Sequence, residues 1–224
     1  MRHITVLDRC LAVALLLVCS HPQWARAESV AQQEFQAALK RVPDPARGRE
    51  LYPTCAGCHG LDGAGAADGS APAIAGQYYA VILKQLVDFR ENQRWNQRME
   101  KVLYQRHLVD TADFADIASH VSALPRHANR NIGDGAALSA GTGAYFRDCA
   151  VCHGAVGQGS AEQVTPRLGG QHYAYLVREI RLAGDLRRPN MIAVHAQTVR
   201  RHSVEEINGV ADYLSRLDPA AERR

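Results

Sequence analysis

Apolar residues in this chain recur three and four positions apart in short stretches, and nowhere do they alternate over the length of a strand. The clearest stretch is Phe114, Ile117, Ala118, Val121 and Leu124, spaced 3-1-3-3; Ile207, Val210, Ala211, Leu214 and Leu217 repeat that spacing 93 residues later. Each is the apolar stripe of an amphipathic helix. Ser203 with Glu206 predicts a capping box for the second stripe, and Asp110 predicts the N-cap of the first. Tyr79, Ile82, Leu83 and Leu86 form a second kind of stripe, matched by Tyr173, Leu176, Val177 and Ile180. Ahead of these, Gly48 with Tyr52 and Gly141 with Tyr145 each lie four apart, hence on one helical face. One helical stretch has no counterpart. Residues 28–41 place Val30, Phe35, Ala38 and Leu39 on one side and close at Pro43-Asp44-Pro45, which marks a packing extension.

The pattern therefore predicts an all-α chain built twice, each unit running helix, loop, helix, loop, helix. An internal repeat supports this reading. At an offset of 94, Pro72 maps onto Pro166, Gly76-Gln77 onto Gly170-Gln171, and Leu86 onto Ile180. Residues 125–135, with Asn129, Asn131 and Gly133, read as the linker. Boundaries follow at 28–128 for the first domain and 129–224 for the second. Units of this size with so much loop bury a small core, so each is expected to need a further apolar centre to fold around.

That centre is named by the chemistry in the first loop. Cys55-Ala56-Gly57-Cys58-His59 recurs as Cys149-Ala150-Val151-Cys152-His153, and Cys-x-x-Cys-His is the attachment signature of c-type haem. Two thiols at that spacing reach the two vinyl groups of one porphyrin, and the adjacent histidine lies under the ring facing the iron. A thiol redox pair would not need the histidine and would follow a strand. A four-cysteine zinc site sets its pairs roughly 15–20 residues apart, not 94. The expected cofactors are two covalent haem c groups, on Cys55 and Cys58 and on Cys149 and Cys152, with His59 and His153 as iron ligands.

For the opposite face of each iron, the methionines are informative, because beyond Met1 only Met99 and Met191 exist. They fall one per unit, 40 and 38 residues after His59 and His153, in polar segments read as loops. Both are predicted sixth ligands. His107, His195 and His202 lack histidine partners in the other unit and read as solvated surface residues. His120, aligned with Tyr213, is expected to pack on the last helix. Pro72 and Pro166 each follow the haem histidine by 13 residues, and their carbonyls are expected to receive its second ring N–H.

Residues 1–27 carry the pattern of an export signal: Arg2 and Arg9, an apolar run from Cys10 to Cys19, and Ala25-Arg26-Ala27. The apolar run is too short to span a bilayer, so membrane association would require the signal to be retained as an anchor. Without those residues the chain has a net charge near +1, which gives nucleic acid binding no support. Cys10 and Cys19 leave with the signal and the other four cysteines are committed to haem, so no disulfide is expected.

Each unit resembles a class I c-type cytochrome on Gly48, Tyr52, Cys55, Cys58, His59, Pro72 and Met99, and on Gly141, Tyr145, Cys149, Cys152, His153, Pro166 and Met191. The tandem arrangement is similar to the cytochrome c4 family. That resemblance implies an all-α fold of two tandem class I cytochrome c domains, each wrapped around one covalent haem, with histidine–methionine ligation. It also implies a periplasmic dihaem carrier passing single electrons between respiratory partners, for example to a membrane-bound terminal oxidase or from a reductase. A dihaem subunit of a redox enzyme, such as a flavocytochrome c sulfide dehydrogenase, shares the same build and is the alternative. No catalytic residue is expected in a carrier. The arginines around the methionines (Arg94, Arg98, Arg187 and Arg188) are expected either to dock an acidic partner or to pair with haem propionates. His120 departs from the family, which expects an aromatic side chain there.

Overall fold

A computed structural model describes residues 29–105, 110–128 and 131–219. The expected export signal lies outside the described residues, and so does His107. Among the described residues the regular structure is helical, with one isolated bridge between Ser160 and Thr165. The first unit contains α1 (Val30–Leu39), α2 (Pro45–Leu51), α3 (Pro53–His59), α4 (Tyr79–Arg90), α5 (Gln97–Gln105) and α6 (Thr111–Ala123). The second contains α7 (Leu138–Ala144), a π-turn (Tyr145–Cys149), α8 (Ala150–His153), α9 (Tyr173–Gly184), α10 (Ala193–Val199) and α11 (Val204–Ser215). None of these helices is long and apolar enough to cross a membrane.

Local sequence accounts for the starts of these helices. Asp44 accepts from the N–H groups of Ala46 and Arg47, and Pro45 occupies the first turn of α2. Asp110 caps α6 through Ala112, and Ser203 and Glu206 form the reciprocal capping box of α11. The π-turn explains a mismatch between the copies. Tyr52 precedes Cys55 by three residues and Tyr145 precedes Cys149 by four. The extra residue is absorbed as one turn with Ala150 N–H bonded to Tyr145 O, a single π-bulge inside a helix. The haem motif therefore keeps its direction in both units.

Each unit is organised by a close helix crossing. Gly48 on α2 lies against the backbone of Asp116 on α6, and Gly141 on α7 lies against Gly209 and Val210 on α11; a Cβ at either glycine would overlap that backbone. The next residue on the face is a buried tyrosine whose hydroxyl donates into the haem loop, Tyr52 to Gly60 O (2.8 Å) and Tyr145 to Gly154 O (2.6 Å). His120 meets Tyr52 edge-on at 5.1 Å, where Tyr213 meets Tyr145 at 5.1 Å. The ring contact thus survives the substitution. Only the hydrogen bond from Tyr213 to Ala155 O (2.8 Å) is lost.

The two cores differ in size. Helix α1 adds Ala31, Phe35 and Ala38 to a continuous cluster with Leu83, Val87, Phe114 and Val121. Val30, expected on that face, is instead 60% exposed, and Ala31 takes its place one residue further round. The second unit has no such helix, and its core is divided between a cluster around Tyr145, Leu176 and Leu214 and a smaller one around Ala183, Val199 and Ile207.

The units face each other across a pseudo-twofold set of hydrogen bonds that explains the repeated Gly-Gln pair. Gln171 bridges Ala73, accepting from its N–H (3.0 Å) and donating to its carbonyl (2.8 Å). Gln77 does the same to Arg167, which stands 94 residues after Ala73, at 3.0 Å for both bonds. The linker belongs to the second unit: Asn131 accepts from the N–H groups of Tyr173 and Ala174 at the start of α9, and Gly135 N–H donates to Asp212.

Candidate functional site

In the first unit the haem motif occupies α3. Cys55 packs against the core and Cys58, one turn on, is exposed, so the two thiols follow each other along one face of the short helix from core to solvent. The thiol of Cys55 is pushed up to about 11 by burial and by Cys58. The second unit repeats this, with Cys149 partly buried and pushed up to about 11 by burial and by Asp148, and Cys152 exposed. Among the described residues no three His, Cys, Asp or Glu side chains gather as a metal cluster, so the two Cys pairs do not build a shared thiolate site.

The histidines carry the decisive geometry. His59 Nδ1 lies 3.0 Å from Pro72 O, and His153 Nδ1 lies 3.3 Å from Pro166 O. A carbonyl can only accept, so Nδ1 bears the proton and Nε2 keeps a lone pair. Burial depresses both imidazole pKa values, which keeps the rings neutral. Neutral imidazole with its second nitrogen anchored to a carbonyl is the state a metal-binding histidine needs. The residues present therefore fit haem. Sequence spacing identified the prolines, but it missed the glycines that bring them close. Gly65 and Gly159, with φ of +80° and +65°, return an N–H to the carbonyls of His59 and His153 at 2.8 Å. A Cβ on either would overlap the Pro72 or Pro166 carbonyl.

Met99 is not in a loop. It sits in the first turn of α5, where Asn96 Oδ1 accepts from its N–H and from that of Arg98, while Glu100 accepts from Asn96 N–H. Asn96 and Glu100 are a helix-start signal that the polar composition of the segment hid. The Met99 side chain packs against the same cluster as Cys55 and Ala56. Met191 does lie in a bend before α10, its N–H bonded to Arg188 O at 3.0 Å, and packs on the Ala183, Val199, Ile207 cluster.

Two histidines and two arginines are placed differently from the sequence reading. His202 is buried at the side chain (5% exposed), within 3.4 Å of Asp148 and 3.5 Å of Glu206. His195 is not a solvated residue either: its ring stands 6.3 Å from that of His153, nearly perpendicular to it. His172 is buried at the interface, its Nε2 2.9 Å from Ala64 O of the first unit. Arg94 and Arg188 are turned inward rather than outward, pairing with Glu179 at 2.9 and 3.2 Å, whereas Arg98 and Arg187 are exposed.

The cytochrome c family model matches the chain twice, over residues 45–125 and 138–218. The chain belongs to the cytochrome c family. Cytochrome c4 of Thiocapsa roseopersicina is 30% identical over 193 residues, covering 81% of this chain and 97% of that protein. The crystal structure of reduced recombinant cytochrome c4 from Pseudomonas stutzeri superposes with a TM-score of 0.70 at 25% identity, covering 79% of this chain and all of that one. Thiosulfate dehydrogenase from Marichromatium purpuratum superposes with a TM-score of 0.66 at 28% identity, covering 80% of this chain but 42% of that one. The protein is thus an all-α dihaem class I c-type cytochrome with two covalent haem c groups, and its relatives are cytochromes c4. Dihaem electron transfer is the activity this membership carries.

Proposed function

We propose that the protein is a periplasmic carrier that passes single electrons between respiratory partners, for example to a membrane-bound terminal oxidase. In this reading residues 1–27 direct export, and 28–128 and 129–224 are the two haem domains. Cys55, Cys58, Cys149 and Cys152 hold the porphyrins, and His59 and His153, oriented by the carbonyls of Pro72 and Pro166, bind the irons. Met99 closes the first iron and Met191 closes the second. Each bound haem supplies one reversible electron, and an iron closed on both faces leaves no position for substrate.

One observation carries the reading: two matching haem sites are tied into one body by reciprocal hydrogen bonds, Gln77 to Arg167 and Gln171 to Ala73. Such an arrangement suits exchange between the two centres, not chemistry at either. The test uses the purified dihaem protein, reduced and mixed with oxidase-containing membranes. Catalytic reoxidation is expected, and failure to be oxidised by membranes that oxidise other c-type cytochromes would remove the carrier role.

A second reading follows from the thiosulfate dehydrogenase likeness, in which a unit of this build occupies less than half of the partner chain. The protein would then be the haem subunit of a redox enzyme, and stable copurification with a dehydrogenase or a flavoprotein subunit would favour it.

A further inference from the structure

The two segments that carry the methionines are held in different ways. In the first unit Asn96 bonds to its own chain: its Oδ1 accepts from the N–H groups of Arg98 and Met99, which fixes the segment as the first turn of α5. In the second unit α10 starts without a side-chain cap. Asn190, immediately before Met191, instead crosses to the first unit. Its Nδ2 donates to Asp88 Oδ2 at 2.9 Å and lies 3.4 Å from Gln85 Oε1, both on α4. Arg188 donates to the same Gln85 oxygen at 3.3 Å.

Three features show that this contact sets the shape of the bend. The first is its polar cost. A carboxylate only accepts, so the Asn190 amide is fixed with Nδ2 towards Asp88, and Asn190 Oδ1 and Arg188 Nε are left buried without a hydrogen-bond partner. Such atoms persist where a stronger contact dictates the conformation. The second is backbone strain. Leu186 opens the segment at φ +57°, where its counterpart Asn92 has φ +54°. Asparagine tolerates that left-handed conformation and leucine does not, so the surroundings must hold it. The third is the acceptor. Asp88 is 3% exposed and is fixed by Lys84 Nζ at 2.6 Å. Its counterpart in the second unit is Leu182, so the second unit offers the Met99 segment no matching carboxylate.

We propose that Asp88, supported by Gln85, is a positioning residue for the second iron: through Asn190 the first unit holds the bend that presents Met191. The proposal rests on the reading that Met191 closes that iron. Closure of the second haem then depends on contact between the units, whereas the Met99 turn is held within its own chain. Methionine raises the potential of a haem, so loosening the contact lowers the second potential and leaves the first in place.

The test titrates the purified ferric dihaem protein with imidazole. Imidazole takes the place of a methionine on iron, and loss of a weak far-red absorption, present only while the methionine sulfur is bound, reports each displacement. The parent should lose this band in two steps, one per haem. Met191→Leu identifies the second haem's step by removing its share of the band; a band left whole would remove the reading that Met191 closes this iron, whatever Asp88 does, so the two failures are distinguishable. Asp88→Ala, a change in the first unit, should lower the imidazole concentration of the second haem's step about tenfold, the worth of one hydrogen bond to a carboxylate. It should also lower that haem's potential and leave the first haem's step unmoved. Asp88→Asn, of nearly the same size, should shift the step less in the same direction and carries the measurement where the alanine variant loads haem poorly. Asn190→Asp, which sets two carboxylates together, should shift it furthest, and pairing it with Asp88→Asn reverses donor and acceptor and should restore the parent's step. An unmoved second step in the Asp88 variants, equal shifts at both haems, or a paired variant no better than Asn190→Asp would overturn the proposal.

Discussion

Gly141→Ala tests whether each haem unit is assembled around the missing Cβ at its helix crossing. The methyl group would overlap the backbone of Gly209 and Val210 on α11. Seen from the other helix, a Cβ built on Gly209 would lie 2.6 Å from Gly141 N and 2.7 Å from its Cα, about 1 Å inside an ordinary contact of about 3.5–4.0 Å. The atoms in the way are backbone, so no side chain can rotate aside and the helices must part. Overpacking of this kind costs about 1–3 kcal/mol, and backbone obstruction argues for the upper end. Replacing a helical glycine by alanine returns about 1 kcal/mol of helix propensity. The net expectation is a loss of about 2 kcal/mol in the second unit. Gly143, on the same helix, has nothing within 4 Å of where a Cβ would stand. Gly143→Ala should therefore stabilise by up to about 1 kcal/mol. The two variants, two residues apart, should differ by about 3 kcal/mol, roughly 100-fold in the unfolding constant. Guanidinium unfolding of the haem-loaded protein, followed by circular dichroism and haem absorbance, measures this. A Gly141→Ala protein as stable as the parent, or a Gly143→Ala protein equally damaged, would refute the argument.

Three further outcomes are expected. Met99→Ala should open the first iron, lower that haem's potential and let the reduced protein bind carbon monoxide; potentiometry with a gas titration checks it, and an iron that stays closed would make Met99 a packing residue. Glu179→Gln leaves the inward-facing Arg94 and Arg188 without their shared carboxylate; with side chains only 11–12% exposed, a loss of about 3 kcal/mol is expected in thermal or denaturant unfolding. His172 is held below its ordinary pKa by burial, which outweighs the opposing effects of the Ala64 carbonyl and Asp68. The folded protein thus binds fewer protons at this site than the unfolded chain, so the interface is at full strength above about pH 6.5 and weakens as pH falls below it. Comparing melting temperatures across that range in the parent and in His172→Gln isolates the contribution, which should vanish in the variant.

Most of the architecture was legible because the chain states it twice. A 3-1-3-3 stripe recurring at nearly constant offset gives both final helices, and the Gly48–Tyr52 and Gly141–Tyr145 faces give the crossings. The capping residues Asp110 and Ser203 were readable because their signal is local. What escaped was non-local. Nothing in the sequence around Gln77 indicates that its amide reaches Arg167 across the interface, and periodicity cannot separate a cation aimed at solvent from Arg94 aimed at Glu179. The polar segment 96–105 concealed a helix because its apolar content is low and its start signal lies in Asn96 and Glu100. His195 looked like a surface residue for a related reason: a repeat comparison gives no weight to a histidine that lacks a partner in the other copy, whereas its ring stands 6.3 Å from that of His153.

The interface shows what the duplication preserved and what it allowed to change. Arg94 and Arg188 are equivalent positions, 94 apart, and so are Gln85 and Glu179. Arg94 donates to Gln85 in its own unit (2.7 Å) and to Glu179 in the other (2.9 Å). Arg188 mirrors this, at 3.2 Å from Glu179 in its own unit and 3.3 Å from Gln85 across the boundary. The geometry is pseudo-twofold but the charge is not, since two cations share one carboxylate. Burial and the nearby Arg94 push Arg188 down to about 10, which still leaves it charged at neutral pH. A cation held in this way acts on the haem sites from inside the molecule, where salt screens it least. Burial first and Arg94 after it hold the His59 imidazole pKa down, burial first and Arg188 after it do the same for His195, and Glu179 binds both arginines. The contacts of Arg94 with Glu179 and of Arg188 with Gln85 join the units in a way that neither could make alone. This is a physical reason for two such domains to remain fused.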